Sequence, residues 1–221
     1  MKTPIVQSVQ GITLAGGGPF TGRDLTLCLT RAPVAVAADS GADRLLRHGV
    51  MPEAVIGDFD SILPESRARI PAIRQHVVAE QATTDFDKAL RSISAPIVLA
   101  LGFAGARLDH GLAAMTTLVA RASQPCILIG PKDLAFAAPP RLELDLVVGE
   151  AFSLFPMARV RGESSGLEWP IAGIDFAPDG MIGTSNRVVS SRVVVEFDGP
   201  GMLVILPRRR LDAAIRSLRR A

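Results

Sequence analysis

Acidic residues recur in the first half of the chain where an apolar run gives way to a loop or a helix. Five aspartates share this placement: Asp39, Asp58, Asp60, Asp85 and Asp109. Because ligands of an open α/β sheet bind beyond the carboxyl ends of its strands, we expect these loops to bring carboxylates together. Clustered carboxylates repel one another unless a cation joins them, and Mg²⁺, which prefers oxygen ligands, is the usual one.

Two acidic segments stand out, and each has a simpler alternative. Asp58-Phe59-Asp60 places two carboxylates two residues apart, and in an extended segment both would point the same way. The alternative is a solvated loop or a turn capped by Asp60-Ser61. Thr84, Asp85 and Lys88 lie at the start of a predicted helix, where the alternative is an ordinary N-cap followed by a surface lysine.

Two further features are suited to phosphate. The triplet Gly16-Gly17-Gly18 lets a backbone approach phosphate or adenine closely. No Gly-Lys-Ser/Thr follows it, so the segment is not a P-loop. Arg107 carries a guanidinium that matches phosphate geometry.

The first part of the chain alternates short apolar runs with helical patterns. Strands are predicted at 11–15, 34–38, 54–56, 77–79, 97–101 and 127–129, and helices at 44–48, 85–92 and 109–122. Apolar runs without polar alternation are typical of a mostly parallel sheet covered by helices on both faces. We therefore predict an α/β domain over residues 1–139.

From residue 141 the pattern changes to a period of two. Val193, Val195 and Phe197 lie at a spacing of two before Asp198-Gly199-Pro200-Gly201, and Met202, Val204 and Leu206 lie at the same spacing after it. Alternation around a glycine-rich turn predicts a hairpin. With Ala137-Ala138-Pro139-Pro140 as the expected boundary, we predict a compact antiparallel β domain over residues 140–221, closed by a helix at 211–218.

Composition excludes several classes of protein. The chain has 221 residues, of which 48% are hydrophobic and 21% charged, which is typical of a globular protein and not of a disordered one. Cys28 and Cys126 lie in apolar surroundings and are expected to be buried free thiols. With no signal peptide and no apolar run of membrane-spanning length, we expect a cytoplasmic protein without a membrane partner.

Six segments, taken in order, resemble the thiamine pyrophosphokinase family. Four lie in the first part: Asp39-Ser40-Gly41-Ala42-Asp43, Gly57-Asp58-Phe59-Asp60-Ser61, Thr84-Asp85-Phe86-Asp87-Lys88-Ala89-Leu90 and Gly105-Ala106-Arg107-Leu108-Asp109-His110. Two lie in the second part: Gly166-Leu167-Glu168-Trp169-Pro170 and Gly183-Thr184-Ser185-Asn186. The sequence departs from the family at Ala114, where an asparagine is common.

The resemblance implies an N-terminal, mostly parallel α/β domain followed by an antiparallel β-sandwich domain. It also implies an enzyme that moves the pyrophosphoryl group of ATP to the hydroxyl of thiamine and releases AMP. The family requires Mg²⁺ and works as a homodimer with active sites shared between subunits. Catalysis of this kind depends on positioning and on neutralising charge on phosphate oxygens.

Carried onto this sequence, the resemblance assigns residues to each part of the reaction. Expected Mg²⁺ ligands are Asp58, Asp60 and Asp85. Lys88 and Arg107 are expected to hold phosphate oxygens, and Asp60 or Asp85 to accept the hydroxyl proton. Residues expected on the ATP side are Asp39, Gln81, Thr84, Asp109 and His110. Residues expected on the thiamine side are Trp169, Ser185 and Asn186, because an aromatic face favours a thiazolium cation.

Alternatives remain at this point. The ATP-handling segments also suit a related pyrophosphokinase that acts on another ring alcohol, such as a hydroxymethylpterin. From residue type alone, Trp169 is a core tryptophan and Ser185-Asn186 a polar turn. Arg208-Arg209-Arg210 raises nucleic-acid binding as a third reading. The net charge of +2 and the lack of aromatic residues among these arginines favour a solvated helix and no nucleic-acid partner.

Overall fold

The computed structural model describes residues 3–105 and 107–220. Its contacts divide the chain into two compact units, Met1–Thr117 and Leu118–Ala221. The domain boundary predicted between residues 139 and 140 stays a prediction, because compactness alone does not identify an independently folding domain.

The first unit contains parallel strands and the helices that connect them. Its strands are β1 (Val6–Gln7), β2 (Ile12–Ala15), β3 (Val34–Ala38), β4 (Ala54–Gly57), β5 (Gln75–Val77), β6 (Ile93–Ser94) and β7 (Val98–Leu101). Its helices are α1 (Gly22–Leu29), α2 (Gly41–Arg47), α3 (Pro64–Arg69), α4 (Asp85–Leu90) and α5 (Leu108–Ala120), which continues past the unit boundary, and Ala72–Arg74 forms a 3₁₀ turn.

Strands β7, β2, β3, β4 and β5 lie side by side in that order and run parallel. Every residue of β2, β4 and β7 is buried, as expected for a sheet covered on both faces. The loops that carry the predicted acidic residues therefore leave the same edge of the sheet. Strands β1 and β6 pair separately, also in parallel.

Local capping sets the start of the helices that follow these loops. Thr84 is the N-cap of α4, and its hydroxyl accepts a hydrogen bond from the Asp87 amide at 3.3 Å. Helix α1 was not predicted, although Thr21 and Asp24 form a reciprocal capping box at its start. Helix α2 begins at Gly41, earlier than the predicted residue 44.

The second unit is mostly antiparallel. Its elements are β8 (Cys126–Ile129), β9 (Asp133–Ala137), β10 (Arg141–Asp145), β11 (Ala151–Pro156), β12 (Gly162–Ser165), β13 (Gly183–Arg187), β14 (Arg192–Phe197), β15 (Met202–Pro207), a 3₁₀ turn (Arg208–Arg210) and α6 (Leu211–Leu218). Strands β8, β9, β15, β11 and β13 lie in that order, and β10, β14 and β12 form a three-stranded sheet. Buried and exposed residues alternate along β10, β11 and β14, and the predicted fold class is confirmed.

The predicted hairpin is wrong, although both of its strands exist. Strand β14 pairs with β10 and β12, whereas β15 pairs with β11 and β9. The connecting loop bonds to a different segment of the chain: the Asp198 amide donates to Arg161 O at 3.1 Å, and the Met157 amide donates to Gly201 O at 2.7 Å. The loop therefore carries the chain from one sheet to the other.

The helices were compared with the length and hydropathy that a membrane-spanning helix needs. Among the described residues, none forms a helix that is long and apolar enough to cross a bilayer.

Candidate active site

A cavity of about 510 Å³ opens at the loops that follow the parallel strands of the first unit. The predicted residues on its wall are Asp58, Asp60, Gln81, Thr84, Asp85, Lys88, Arg107 and His110. Ala114, where the family commonly has asparagine, also lies on this wall. The topology thus brings together most of the first-unit residues that sequence reasoning selected.

Three carboxylates lie close together at this site, and two of them, Asp58 and Asp60, line the cavity. Asp39, Asp58 and Asp60 each offer an oxygen atom, and these atoms lie within 4.8 Å of one another. Asp39 is only 1% exposed, and neither of its side-chain oxygens has a hydrogen-bond partner among the described residues. Burial, and after it the charge of Asp85, raises the pKa of Asp39 to about 6. An unpartnered carboxylate in a buried place is costly without a cation, so this donor set fits Mg²⁺.

Lys88 links two of the acidic loops. Its side chain is 3% exposed, and its ammonium lies 2.6 Å from Asp58 Oδ2 and 3.1 Å from Asp85 Oδ1. Burial disfavours the ammonium, but the hydrogen bonds to Asp58 and Asp85 outweigh it and raise the pKa of Lys88. The same contact with Lys88 lowers the pKa of Asp58 to about 2, so Asp58 is a carboxylate at any physiological pH.

The segment Asp58-Phe59-Asp60 is not extended, which corrects the prediction. Phe59 has a φ of 64°, a left-handed conformation that is unusual for a bulky residue. The turn is held by the Asp60 amide, which donates to Asp58 Oδ1 at 3.4 Å. Phe59 is buried, with the guanidinium of Arg67 4.9 Å from its ring centroid. Asp58 and Asp60 therefore converge through a tight turn and not through strand alternation.

Polar contacts of Glu80 hold the loop that carries Gln81 in place. Glu80 accepts a hydrogen bond from the Thr83 hydroxyl and forms an ion pair with Arg91 at 2.9 Å. Gln81 Nε2 approaches Asp58 Oδ2 at 3.5 Å. These contacts place the Gln81 amide on the cavity wall beside the acidic cluster.

Arg107 and Asp109 pair with each other. The guanidinium of Arg107 donates to both carboxylate oxygens of Asp109, at 3.1 and 2.6 Å, and the His110 amide donates to Asp109 Oδ1 at 2.9 Å. Arg107 and His110 line the cavity, whereas Asp109 does not. Both partners of the pair are exposed, so the pair is weak.

The glycine triplet brings the loops of the sheet edge close together. A Cβ atom at Gly17 would lie 2.4 Å from Ser40 Oγ, and one at Gly18 would lie 2.5 Å from Gly102 O. Gly17, Gly18 and Ser40 all line the cavity. Sequence reasoning gave Ser40 no role, although it lies in the segment that begins with Asp39.

In the second unit, Asn186 holds the backbone of Trp169. Asn186 Oδ1 accepts from the Trp169 amide at 3.2 Å, and Asn186 Nδ2 donates to Trp169 O at 2.7 Å. Trp169 is 55% exposed and so is not a core tryptophan. The guanidinium of Arg187 lies 5.9 Å from its ring centroid and is paired with Glu168.

Ser185 completes this surface. It has a φ of 63°, its amide donates to Ser153 Oγ at 2.9 Å, and its side chain is exposed. The second unit thus presents an aromatic face and an exposed hydroxyl, while the amide of Asn186 is used within the protein.

Comparisons with known proteins agree with one another. Residues 25–129 match the model of the thiamin pyrophosphokinase catalytic domain, and residues 141–201 match that of the thiamin pyrophosphokinase vitamin B1 binding domain. The chain is 28% identical over 210 residues to a thiamine pyrophosphokinase of Bacillus subtilis (strain 168), covering 88% of this chain and 97% of the relative. It is 26% identical over 208 residues to thiamine pyrophosphokinase 3 of Oryza sativa subsp. japonica, covering 79% and 78%.

Solved structures show the same fold. A thiamin pyrophosphokinase from Candida albicans superimposes with a TM-score of 0.75 at 16% identity, covering 93% of each chain. One from Bacillus subtilis superimposes with a TM-score of 0.70 at 24% identity, covering 90% of this chain and 98% of that one. Since both family domains match in order and together span most of the sequence, the chain belongs to the thiamine pyrophosphokinase family.

Proposed function

We propose that this protein transfers the pyrophosphoryl group of ATP to the hydroxyl of thiamine, giving thiamine diphosphate and AMP. The observation that carries the proposal is the buried, unpartnered carboxylate of Asp39 facing Asp58 and Asp60. It lies in the part of the chain that matches the family's catalytic domain. In the reaction, the thiamine oxygen bonds to the β-phosphorus and the hydroxyl loses its proton. The bond from the β-phosphorus to the oxygen that bridges it to the α-phosphorus breaks, and AMP leaves with that oxygen.

Asp39, Asp58 and Asp60 would hold Mg²⁺, which when bound neutralises charge on the phosphate oxygens. Asp85 stays a predicted ligand, and its Oδ1 is engaged by Lys88. Asp58 Oδ2 accepts from Lys88, which leaves its Oδ1 better placed for a cation. Asp60 is exposed and can turn toward a cation without breaking a side-chain contact of its own among the described residues.

Lys88 and Arg107 supply the positive charge that phosphate needs. An ammonium has three N–H donors, and two of those of Lys88 are used by Asp58 and Asp85. The third would donate to a phosphate oxygen. Arg107 can exchange its exposed pairing with Asp109 for a bidentate contact with phosphate. Gln81, Thr84 and His110 line the remaining wall and would contact ATP.

The proton of the thiamine hydroxyl is accepted by a carboxylate on the cavity wall. Asp60 and Asp85 both line the cavity and are the two proposed acceptors. The thiazolium and pyrimidine rings of thiamine would lie against Trp169, because a cation is attracted to an aromatic face. Pairing with Glu168 offsets the charge of Arg187 beside that face.

We also infer a cytoplasmic homodimer in which each active site receives residues from both subunits. Exposed apolar side chains of the second unit support an interface there: Val147 is 48% exposed, Val148 58% and Val189 51%. These valines are neighbours, since the Gly149 amide donates to Val188 O. Both cysteines are buried and form no disulfide, as is usual in a reducing compartment. Light scattering of the purified protein measures the subunit number.

The direct test incubates the purified protein with thiamine, ATP and Mg²⁺ and measures AMP and thiamine diphosphate. Equal amounts of the two products are expected, and absence of both refutes the proposal. Asp60→Asn and Asp85→Asn are each expected to lower turnover by about 10²–10⁴-fold, the range for removing a general base. Near-normal turnover of either variant removes that residue from the mechanism. A hydroxymethylpterin in place of thiamine is expected to give no AMP.

A further inference from the structure

We propose that Asp43 is a positioning residue for the cation site, acting through a hydrogen bond that fixes the distance between the two loops of the acidic cluster. Asp43 is 5% exposed. Its carboxylate accepts from the Leu63 amide, at 3.3 Å to Oδ1 and 3.4 Å to Oδ2. This inference rests on the proposed function, since it concerns the cation that Asp39, Asp58 and Asp60 would share.

Asp43 is rigidly connected to Asp39. The Ala42 amide donates to Asp39 O at 3.0 Å, and the Asp43 amide donates to Ser40 O at 3.1 Å. These bonds join Asp39 and Ser40 to the first turn of α2. The buried side chain of Asp39 therefore keeps its place only if that turn keeps its place.

Leu63 follows the other two carboxylates closely in the sequence. It is the N-cap of α3, and Ile62 before it is buried. Asp58 and Asp60 lie immediately upstream, in the turn built on the left-handed Phe59. A residue in that conformation persists only when its surroundings hold it. The hydrogen bond from Leu63 to Asp43 ties the residues that follow this turn to α2.

The role needs an acceptor oxygen and not a charge, which gives a sharp test. Asp43→Asn keeps an oxygen that accepts from the Leu63 amide, whereas Asp43→Ala removes it. Mn²⁺ alone is titrated into each nucleotide-free protein and free Mn²⁺ is measured by electron paramagnetic resonance. We expect Asp43→Ala to bind Mn²⁺ about tenfold more weakly than the wild type and Asp43→Asn to stay within about threefold, as for residues that orient metal ligands.

Turnover gives a second readout. The Mg²⁺ concentration for half-maximal rate is expected to rise by the same factor in Asp43→Ala, while saturating Mg²⁺ restores kcat and the KM for thiamine is unchanged. If Asp43 contributed only to folding, Asp43→Ala would lower the fraction of active protein and leave the Mg²⁺ concentration for half-maximal rate unchanged. Equal Mn²⁺ affinity of Asp43→Ala and the wild type overturns the inference, as does an Asp43→Asn variant as weak as Asp43→Ala.

A second pair of variants covers the case in which Asp43→Ala does not fold. Leu63 has a φ of −64°, which proline adopts, so Leu63→Pro removes the N–H donor; Leu63→Ala keeps it. Weaker Mn²⁺ binding by Leu63→Pro alone supports the inference, and equal binding by both overturns it. If the wild type forms no thiamine diphosphate, the proposed function fails, yet the Mn²⁺ titration still decides the role of Asp43.

Discussion

Replacing Asp39 with asparagine is expected to stabilise the metal-free protein near neutral pH while destroying its cation site. The carboxyl of Asp39 is buried without a hydrogen-bond partner among the described residues. Burial, and after it the charge of Asp85, raises its pKa from 3.8 to about 6. Asparagine has nearly the same shape without the charge, and it tolerates the left-handed backbone found here, where φ is 45°.

The sign and size follow from the two pKa values. Below pH 3.8 the carboxyl is protonated in both the folded and the unfolded chain, so burial of the charge costs nothing. As the pH rises from 3.8 to about 6, the unfolded chain releases its proton first and the free energy of unfolding falls. Above that range the full cost is present, and roughly two pKa units at about 1.36 kcal/mol each give roughly 3 kcal/mol.

Urea unfolding in EDTA measures this difference. Near pH 7.5 we expect Asp39→Asn to be more stable than the wild type by about 2–3 kcal/mol, and near pH 4 we expect the gap to shrink toward zero. Asp133→Asn is the matched control, because it removes an exposed carboxylate of β9. We expect it to leave the free energy of unfolding unchanged at both pH values. Added Mg²⁺ should stabilise the wild type and leave Asp39→Asn unchanged.

Two results would refute this reasoning. An Asp39→Asn protein that is less stable than the wild type near neutral pH would show that the carboxylate is satisfied in the metal-free state. Equal stabilisation of both proteins by Mg²⁺ would place the cation away from Asp39.

Three further predictions concern other parts of the molecule. Lys88→Met should lower kcat in the thiamine diphosphate assay by about 10²–10³-fold, the cost of removing one donor that stabilises transition-state charge, and an unchanged kcat would exclude Lys88 from phosphate binding. Thiamine should quench the fluorescence of Trp169, the single tryptophan of the chain, and no change at saturation would contradict stacking. Glu150→Gln should lower the free energy of unfolding near pH 7 by about 2 kcal/mol, because Arg209 and Arg210 both bond the buried carboxylate. Since the hydrogen bond from Arg210 holds the pKa of Glu150 below its usual range, this difference should shrink as the pH falls below about 4.5, and urea unfolding across pH measures it.

The sequence predicted the parallel sheet and the gathering of acidic loops for one physical reason. Buried parallel strands are continuous apolar runs, and the residue after each run lies at the carboxyl edge where loops meet. Asp39, Asp58 and Asp85 were found in this way. Helix α1 has a local sequence signal in the Thr21 and Asp24 capping box, which hydrophobic periodicity alone does not detect.

Other features depend on contacts between distant residues, and no local pattern carries them. The turn at Phe59 places its ring 4.9 Å from the guanidinium of Arg67 on α3. The loop after β14 resembles a hairpin turn in sequence, but hydrogen bonds to residues 157 and 161 direct it to another sheet. The sequence predicts that Arg209 and Arg210 belong to a solvated basic face. In the structure both side chains bond to Glu150. This contact explains part of the arginine cluster without a nucleic acid.

The energetically unfavourable features of the first unit lie close together at its acidic cluster. Asp39 and Phe59 both have a left-handed backbone, and the buried carboxylate of Asp39 has no hydrogen-bond partner among the described residues. Backbone strain and buried charge persist only where the surroundings enforce them, and they concentrate at functional sites. A cation bound by Asp39, Asp58 and Asp60 would remove the largest of these costs, the buried charge. Folding stability and cation binding should therefore be coupled through Asp39, so that the metal-free protein opens first at the loops that leave the carboxyl edge of β3 and β4.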